Sequence, residues 1–302
     1  MVNLQIAGLR LVRLHDPRGD VRVGMVADEE IGVLETDDVV ALLEAGEAPR
    51  PKEHLALVDA RFCTPPEPWR LLAPLIAPET WAAGVTYERS RDARLQESQV
   101  ADVYDLVYEA QRPELFLKDA AGRRTVGPGE PIATRADATW TVPEPELAVV
   151  IGARGEPVAV TIGNDVSSRD IEGANPLYLP QAKIYNGACA LGPALLVPVD
   201  WSVPFDIELR ILGEDCEPVF SGKTTTANMR RSLRELIEYL RRDNSVPAGS
   251  VLLTGTGIVP PDSVTLIPGQ SVEITISGIG TLQNPVGAAT KSEQRPQETA
   301  DV

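Results

Sequence analysis

Glu144, Glu146 and Asp165 are the residues whose types and spacing best suit cation chemistry. The glutamates lie in Val142-Pro-Glu-Pro-Glu-Leu-Ala-Val-Val-Ile-Gly152, and the aspartate lies in Thr161-Ile-Gly-Asn-Asp-Val-Ser-Ser-Arg-Asp170. Alternate side chains of an extended strand share a face, so Glu-x-Glu aims both carboxylates the same way. The apolar run after Glu146 turns at 153–157 and returns as Val158-Ala-Val-Thr-Ile162, which predicts a hairpin that carries Asp165 back beside the glutamates. Carboxylates gathered this way repel one another unless protons or a cation neutralise them. An all-oxygen site that keeps waters favours Mg2+, with Mn2+ or Ca2+ as alternatives. A solvated strand face is the commoner fate of Glu-x-Glu, but the continuous apolar run beside it predicts a buried strand.

The elements that must position these groups follow from composition and pattern. The chain has 302 residues, a net charge of -16 and 43% hydrophobic content, enough for a sizeable core. That charge argues against nucleic acid. No run approaches the ~20 apolar residues of a membrane span, and Met1-Val-Asn-Leu-Gln lacks a signal-peptide pattern. Three spaced cysteines suggest reduced thiols in a cytoplasmic protein, and two histidines, His15 and His54, make a zinc site or a histidine triad a poor fit.

Residues 1–75 form a candidate N-terminal module, with strands predicted over Leu4–Leu14, Val21–Ala27 and Ile31–Leu34. A short helix is predicted from an N-cap at Thr36 to a stop at Gly46. A proline-rich connector leads to a main domain over 76–287, and the polar segment 288–302 is expected to be disordered. Helices are predicted within Tyr87–Ala110, with Leu106, Val107 and Ala110 facing the core. Another is predicted over Ala227–Arg242, with Met229, Leu233, Leu236, Ile237 and Leu240 as its apolar stripe. Many short β-branched runs, including Phe205–Leu212, Ser250–Thr254 and Ser271–Ser277, complete an α+β, mostly-β chain with a rolled sheet. Gly222-Lys-Thr224 lacks the upstream glycine of a phosphate loop, because position 217 is Glu. Gly255-Thr-Gly257 lacks the third glycine of a dinucleotide fingerprint.

Four motifs in order resemble the fumarylacetoacetate hydrolase superfamily: Glu144-Pro-Glu146 with its apolar run, Asn164 to Asp170, Lys183 before Leu191-Gly-Pro193, and Thr254-Gly-Thr256. The resemblance implies a mixed β-roll and a divalent ion, normally Mg2+, held by Glu144, Glu146 and Asp165 and chelated by a 2-oxo acid. Gly84-Val-Thr-Tyr-Glu-Arg-Ser90, Arg112-Pro-Glu-Leu-Phe-Leu-Lys118, Val126-Gly-Pro-Gly129 and Ile171 to Pro180 are similar to the branch of 2-keto-3-deoxy-pentonate dehydratases. Carbon–carbon hydrolases of the family usually carry a His where this chain has Ser90, so the base that would activate water is missing.

The resemblance therefore implies dehydration of a 2-keto-3-deoxy-pentonate to 2,5-dioxopentanoate. Acylpyruvate hydrolysis and oxaloacetate decarboxylation are the nearer alternatives, and a non-catalytic sugar-acid-binding protein is the remoter one. Lys183 matches the family's active-site lysine and is the candidate base, given a lowered pKa near a metal or in a desolvated pocket. Glu114 is the candidate acid. Lys118, Thr256, Ser90 and Thr86 are expected to contact substrate, and Arg169 to buttress Asp165 or a neighbouring carboxylate. Family members are generally dimers or larger, which implies a homo-oligomer, a dimer or a tetramer.

Overall fold

In the computed structural model, residues 2–3, 8–97 and 102–288 are described. Strands that build the scaffold are β1 (Arg10–His15), β2 (Val21–Ala27), β3 (Glu30–Leu34), β4 (Glu53–Ala56), β5 (Glu79–Gly84), β6 (Glu114–Ala120) and β7 (Pro145–Ile151). They continue as β8 (Pro157–Asp165), β9 (Cys189–Leu196), β10 (Asp206–Leu212), β11 (Pro218–Thr225), β12 (Ser250–Leu253), β13 (Ser271–Ile276) and β14 (Gly280–Ala288). Helices are α1 (Val39–Ala45), α2 (Glu88–Glu97), α3 (Asp102–Glu109), α4 (Arg169–Ala174), α5 (Leu179–Lys183) and α6 (Leu233–Arg241).

One sheet runs in the order β4-β3-β2-β1-β9-β8-β7-β12-β5-β6. Its neighbours are antiparallel except β12 and β5, which are parallel. The chain leaving β6 then lays Thr125 and Val126 beside Cys189 and Ala190 of β9, so the sheet from β9 to β6 returns on itself as the expected roll. A five-stranded sheet, in which Ile132–Thr134 precedes β14-β13-β10-β11, packs on the outside.

Register separates the two faces. Leu147, Val149, Ile151, Val160, Ile162 and Leu252 point outward to Ile207, Leu209, Ile274 and the α6 residues Leu236 and Leu240. Ala82, Ala148, Val150, Ala159, Cys189 and Leu253 point inward. Several inward residues are small, as the interior of a narrow roll requires.

The strands of the first 75 residues are not held apart from this sheet, because Leu11 and Arg10 of β1 pair with Leu195 and Leu196 of β9. β1 starts at Arg10 rather than Leu4, and residues 4–7 lie outside the described residues. Helix α1 is capped by Asp38, whose side chain accepts from Ala41 N, while Thr36 Oγ1 accepts from Asp38 N. Gly46 ends that helix in the left-handed region, as its position predicts.

Two helical expectations need correction. Leu106 is 70% exposed and Tyr108 takes the buried position, so the core-facing stripe of α3 is rotated. The helix predicted over Ala227–Arg242 begins only at Leu233, because Ser232 accepts from Glu235 N as an N-cap. Met229 precedes it, following a 3-10 turn over Thr226–Asn228. Except for Ala288, the segment 288–302 lies outside the described residues.

Leu147 is fully packed between Glu146 and the outer core. Truncation to Ala is expected to lower unfolding free energy by about 2–5 kcal/mol, read from urea denaturation.

Candidate active site

The hairpin of β7 and β8 forms as predicted. Glu146 lies opposite Gly163, and Asp165 N–H donates to the Glu144 carbonyl at 3.0 Å. Ligand atoms of Glu144, Glu146 and Asp165 lie within 4.8 Å of one another, and all three residues are buried. Parity along β7 and β8 puts them on the inward face, at the mouth of the roll.

Cations reach the cluster from elements that follow or face the hairpin. Arg169, at the start of α4, pairs with Glu144 Oε1 at 2.8 Å, which places the expected buttress on Glu144. Lys183, the last residue of α5, donates to Glu144 Oε2 at 2.8 Å, Asp165 Oδ2 at 3.0 Å and Ser167 Oγ at 2.6 Å. Three oxygen partners thus surround its amine. Lys118 crosses from β6 to pair with Asp165, and it donates to the carbonyls of Val166 (3.1 Å) and Lys183 (2.5 Å). It follows Glu114 and Phe116 on the inward parity of β6, and a bulge, at which Thr80 pairs with Asp119 and Trp81 with Leu117, brings Asp119 to the same face. Lys118 and Asp119, adjacent in sequence, are consequently both buried.

Glu146 differs from its two partners. Its Oε2 accepts from Gly255 N–H at 2.5 Å. Burial, then the charges of Asp165 and Glu144, hold its carboxyl well above the usual carboxylate range; Lys183 and the Gly255 N–H offset this only in part. Three inward oxygens of this kind fit a hard divalent ion, with Glu146 as the ligand that most needs its charge.

The other predicted residues divide. Glu114 is half-buried on β6 opposite Gly84, and by parity it shares the inward face with Phe116, whose ring centroid lies 5.8 Å from Lys183 Nζ. Thr86 Oγ1 donates to the Thr254 carbonyl at 2.7 Å, and Thr256 Oγ1 exchanges 3.2 Å bonds with Ile258 N–H and its carbonyl. Ser90 Oγ donates to the Tyr87 carbonyl at 2.8 Å and accepts from Tyr87 N–H. These three hydroxyls brace the loops that follow β5 and β12. Ser167 and Phe116 were not singled out in the sequence. Ser167 stood in a visible polar cluster, and Phe116 falls two residues from Glu114 on the same strand face.

A family model described as fumarylacetoacetate hydrolase, C-terminal, matches residues 81–287. The chain belongs to the fumarylacetoacetate hydrolase family. Among members of this family, a probable 2-keto-3-deoxyxylonate dehydratase of Haloferax volcanii is 51% identical over 214 residues, 70% of this chain and 73% of the relative. A 2-dehydro-3-deoxy-D-arabinonate dehydratase of Saccharolobus solfataricus is 48% identical over 224 residues, covering 72% and 74% respectively. A solved 2-keto-3-deoxy-D-arabinonate dehydratase complexed with magnesium and 2,5-dioxopentanoate superposes with a TM-score of 0.82 at 37% identity, over 93% of this chain and all of that one. Among the described residues no helix is long and apolar enough to cross a membrane.

Two outcomes follow from this geometry. A raised Glu146 pKa means that the ion-free fold gains from its proton at low pH and loses that contribution as pH rises through the folded-state pKa. Mg2+ competes with the proton, so calorimetry in buffers of different ionisation enthalpy should show proton release and tighter binding at higher pH, with the release lost in Glu146→Gln. Lys118→Met leaves Asp165 without one of its buried partners and is expected to cost about 3–5 kcal/mol in urea unfolding.

Proposed function

We propose that this chain is a Mg2+-dependent hydro-lyase that converts a 2-keto-3-deoxy-pentonate to 2,5-dioxopentanoate and water. The observation that carries the reading is the placement of Lys183 and Glu114 on the same inward face as three clustered carboxylates. The two dehydratase relatives and the neighbour bound to magnesium and 2,5-dioxopentanoate support it.

The chemistry that Mg2+ supplies when held by Glu144, Glu146 and Asp165 is Lewis acidity toward the C1 carboxylate and C2 carbonyl oxygens of the substrate. Lys183, acting as the neutral amine, accepts a proton from C3. The electron pair released at C3 forms the C3–C4 double bond and breaks the C4–O bond. Glu114 delivers a proton to the departing hydroxyl, which leaves as water. Moving a proton from C5 to C3 gives an enol at C4–C5, and its ketonisation yields the aldehyde without a further residue.

Ser167 keeps the lysine amine in place. Its hydroxyl donates to the Asp165 carbonyl at 2.8 Å, which turns a lone pair to Lys183 Nζ. Phe116 covers the amine on the side of β6 and helps to exclude water. A homo-oligomeric assembly is part of the same proposal, on the family resemblance, and light scattering of the purified chain measures it.

The test is turnover of racemic 2-keto-3-deoxy-pentonate with Mg2+ and with EDTA, following 2,5-dioxopentanoate. Metal-dependent product is expected, with kcat falling about 100-fold or more in Lys183→Ala, Glu114→Gln and Glu146→Gln. Cleavage of an acylpyruvate or loss of CO2 from oxaloacetate in place of dehydration would overturn the reaction while leaving the ion site.

A further inference from the structure

Between Glu114 and Glu146 the inner rim of the roll is built from residues without side chains. Gly84 pairs with Glu114, and Glu146 pairs with Gly163. Just beyond the pairs Ala148–Leu253 and Leu253–Ala82, Gly255 donates its N–H to Glu146 Oε2, and a Cβ added there would stand 3.0 Å from the Ala83 carbonyl, so Gly255 lies between Glu146 and Gly84. The inward row therefore reads Glu114, Gly84, Gly255, Glu146, Gly163.

The contacts at Gly84 give the direction of the Glu114 side chain. A Cβ added there would collide with Oε2 and Cδ of Glu114 and stand 3.2 Å from its Cγ. Three atoms of one side chain around a single missing Cβ mean that Glu114 leans off β6 and lies across the bare Cα of Gly84. Gly84 is absent from the glycines with positive φ, so its backbone conformation does not demand glycine. Gly255 contrasts with it: φ is +91°, and an added Cβ would strike Thr86 Oγ1. One position is glycine for its backbone, the other for what lies over it.

We propose that Gly84 is a positioning residue for Glu114, its missing side chain letting the carboxyl group lie along the rim toward the ion-holding carboxylates. The inference rests on the dehydratase reading above. Adjacent strands are about 4.8 Å apart. Gly255, one strand from Gly84, already holds Glu146 Oε2. The Glu114 carboxyl group and the ion site are thus brought within about one strand spacing across a glycine floor. C2 and C4 of the substrate are separated by a single methylene. A molecule gripped at C1 and C2 lays its C4 hydroxyl over that floor, where the leaning carboxyl group meets it. A methyl group at position 84 pushes away the end of a flexible side chain while backbone and ion site stay in place.

The experiment uses the full chain with Mg2+ and four proteins: wild type, Gly84→Ala, Glu114→Gln and the double variant Gly84→Ala/Glu114→Gln. Dehydration is read as 2,5-dioxopentanoate formed. Exchange of the C3 protons with D2O, read by NMR, reports the base and the ion without the acid. Gly84→Ala is expected to lose about 100-fold in dehydration, to keep exchange within about 3-fold, and to add no further loss to Glu114→Gln. Its Mg2+ affinity by calorimetry and its Tm should match wild type.

Undiminished dehydration in Gly84→Ala overturns the proposal, as does a parallel loss of exchange and dehydration. A Tm drop of the same size when Gly84→Ala is made in wild type and in a fifth protein, Glu114→Ala, would show that the backbone itself needs glycine, and would also overturn it. A wild-type protein that fails to dehydrate the substrate removes the dehydratase reading and the proposal with it, an outcome distinct from an active Gly84→Ala.

Discussion

The ammonium of Lys118 bridges the inside of the roll, and the site is arranged around that bridge. It pairs with Asp165 on one wall and donates to the carbonyls of Val166 and Lys183. An ion ligand and the backbone of the proposed base therefore share one anchor, set on a strand that neither of them occupies. The side chain is fully buried, where an unmatched ammonium would be costly, so the bridge persists only while all three acceptors are presented together. The bulge in β6 then sets Asp119 on the same inward face as Lys118. Asp119 then accepts from the backbone N–H groups of Arg124 and Thr125, shaping the turn that carries Thr125 and Val126 onto β9. Closure of the roll therefore depends on a residue that the irregularity turns inward beside the lysine.

Charge is distributed unevenly in this interior. Arg169, Lys183 and Lys118 all reach Glu144 or Asp165, and Glu146 meets a backbone N–H. Buried carboxylates resist ionisation unless paired, so the proton preference collects on Glu146. A divalent ion is matched to such a cluster because it neutralises the member that protein cations leave aside. Arg169 and Lys183 reach the cluster through short helices shortly after β8, and their backbone placement needs little chain beyond that strand.

The hairpin and its three carboxylates were legible because period-two alternation beside an unbroken apolar run admits few other structures. The rolled, mostly-β architecture was legible for the same kind of reason. Asp119 was harder, because parity along a regular strand cannot anticipate a bulge, and the partner of Lys118, Asp165, lies 47 positions further on, at a distance in sequence over which spacing carries no information. The closing strand of Thr125 and Val126 is two residues long, too short to show any period. Helix boundaries erred where capping competes locally. Asp38 rather than Thr36 accepts from the first turn of α1, and Ser232 starts α6 downstream of Met229. Leu106 looked like a core residue by hydrophobicity alone, and its neighbour Tyr108 had the better-placed face.

The three carboxylates proposed to hold the ion all belong to one hairpin, from Glu144 to Asp165, while Gly84, Glu114 and Lys118 belong to a separate stretch of chain that forms the facing wall. The two stretches are divergent in what they need to preserve. The hairpin must keep its register and its carboxylates for any 2-keto acid to be gripped, whereas the facing wall meets the remainder of the substrate. Substitutions in the facing wall are accordingly expected to alter the bond-breaking step while leaving the carboxylates of the hairpin in register.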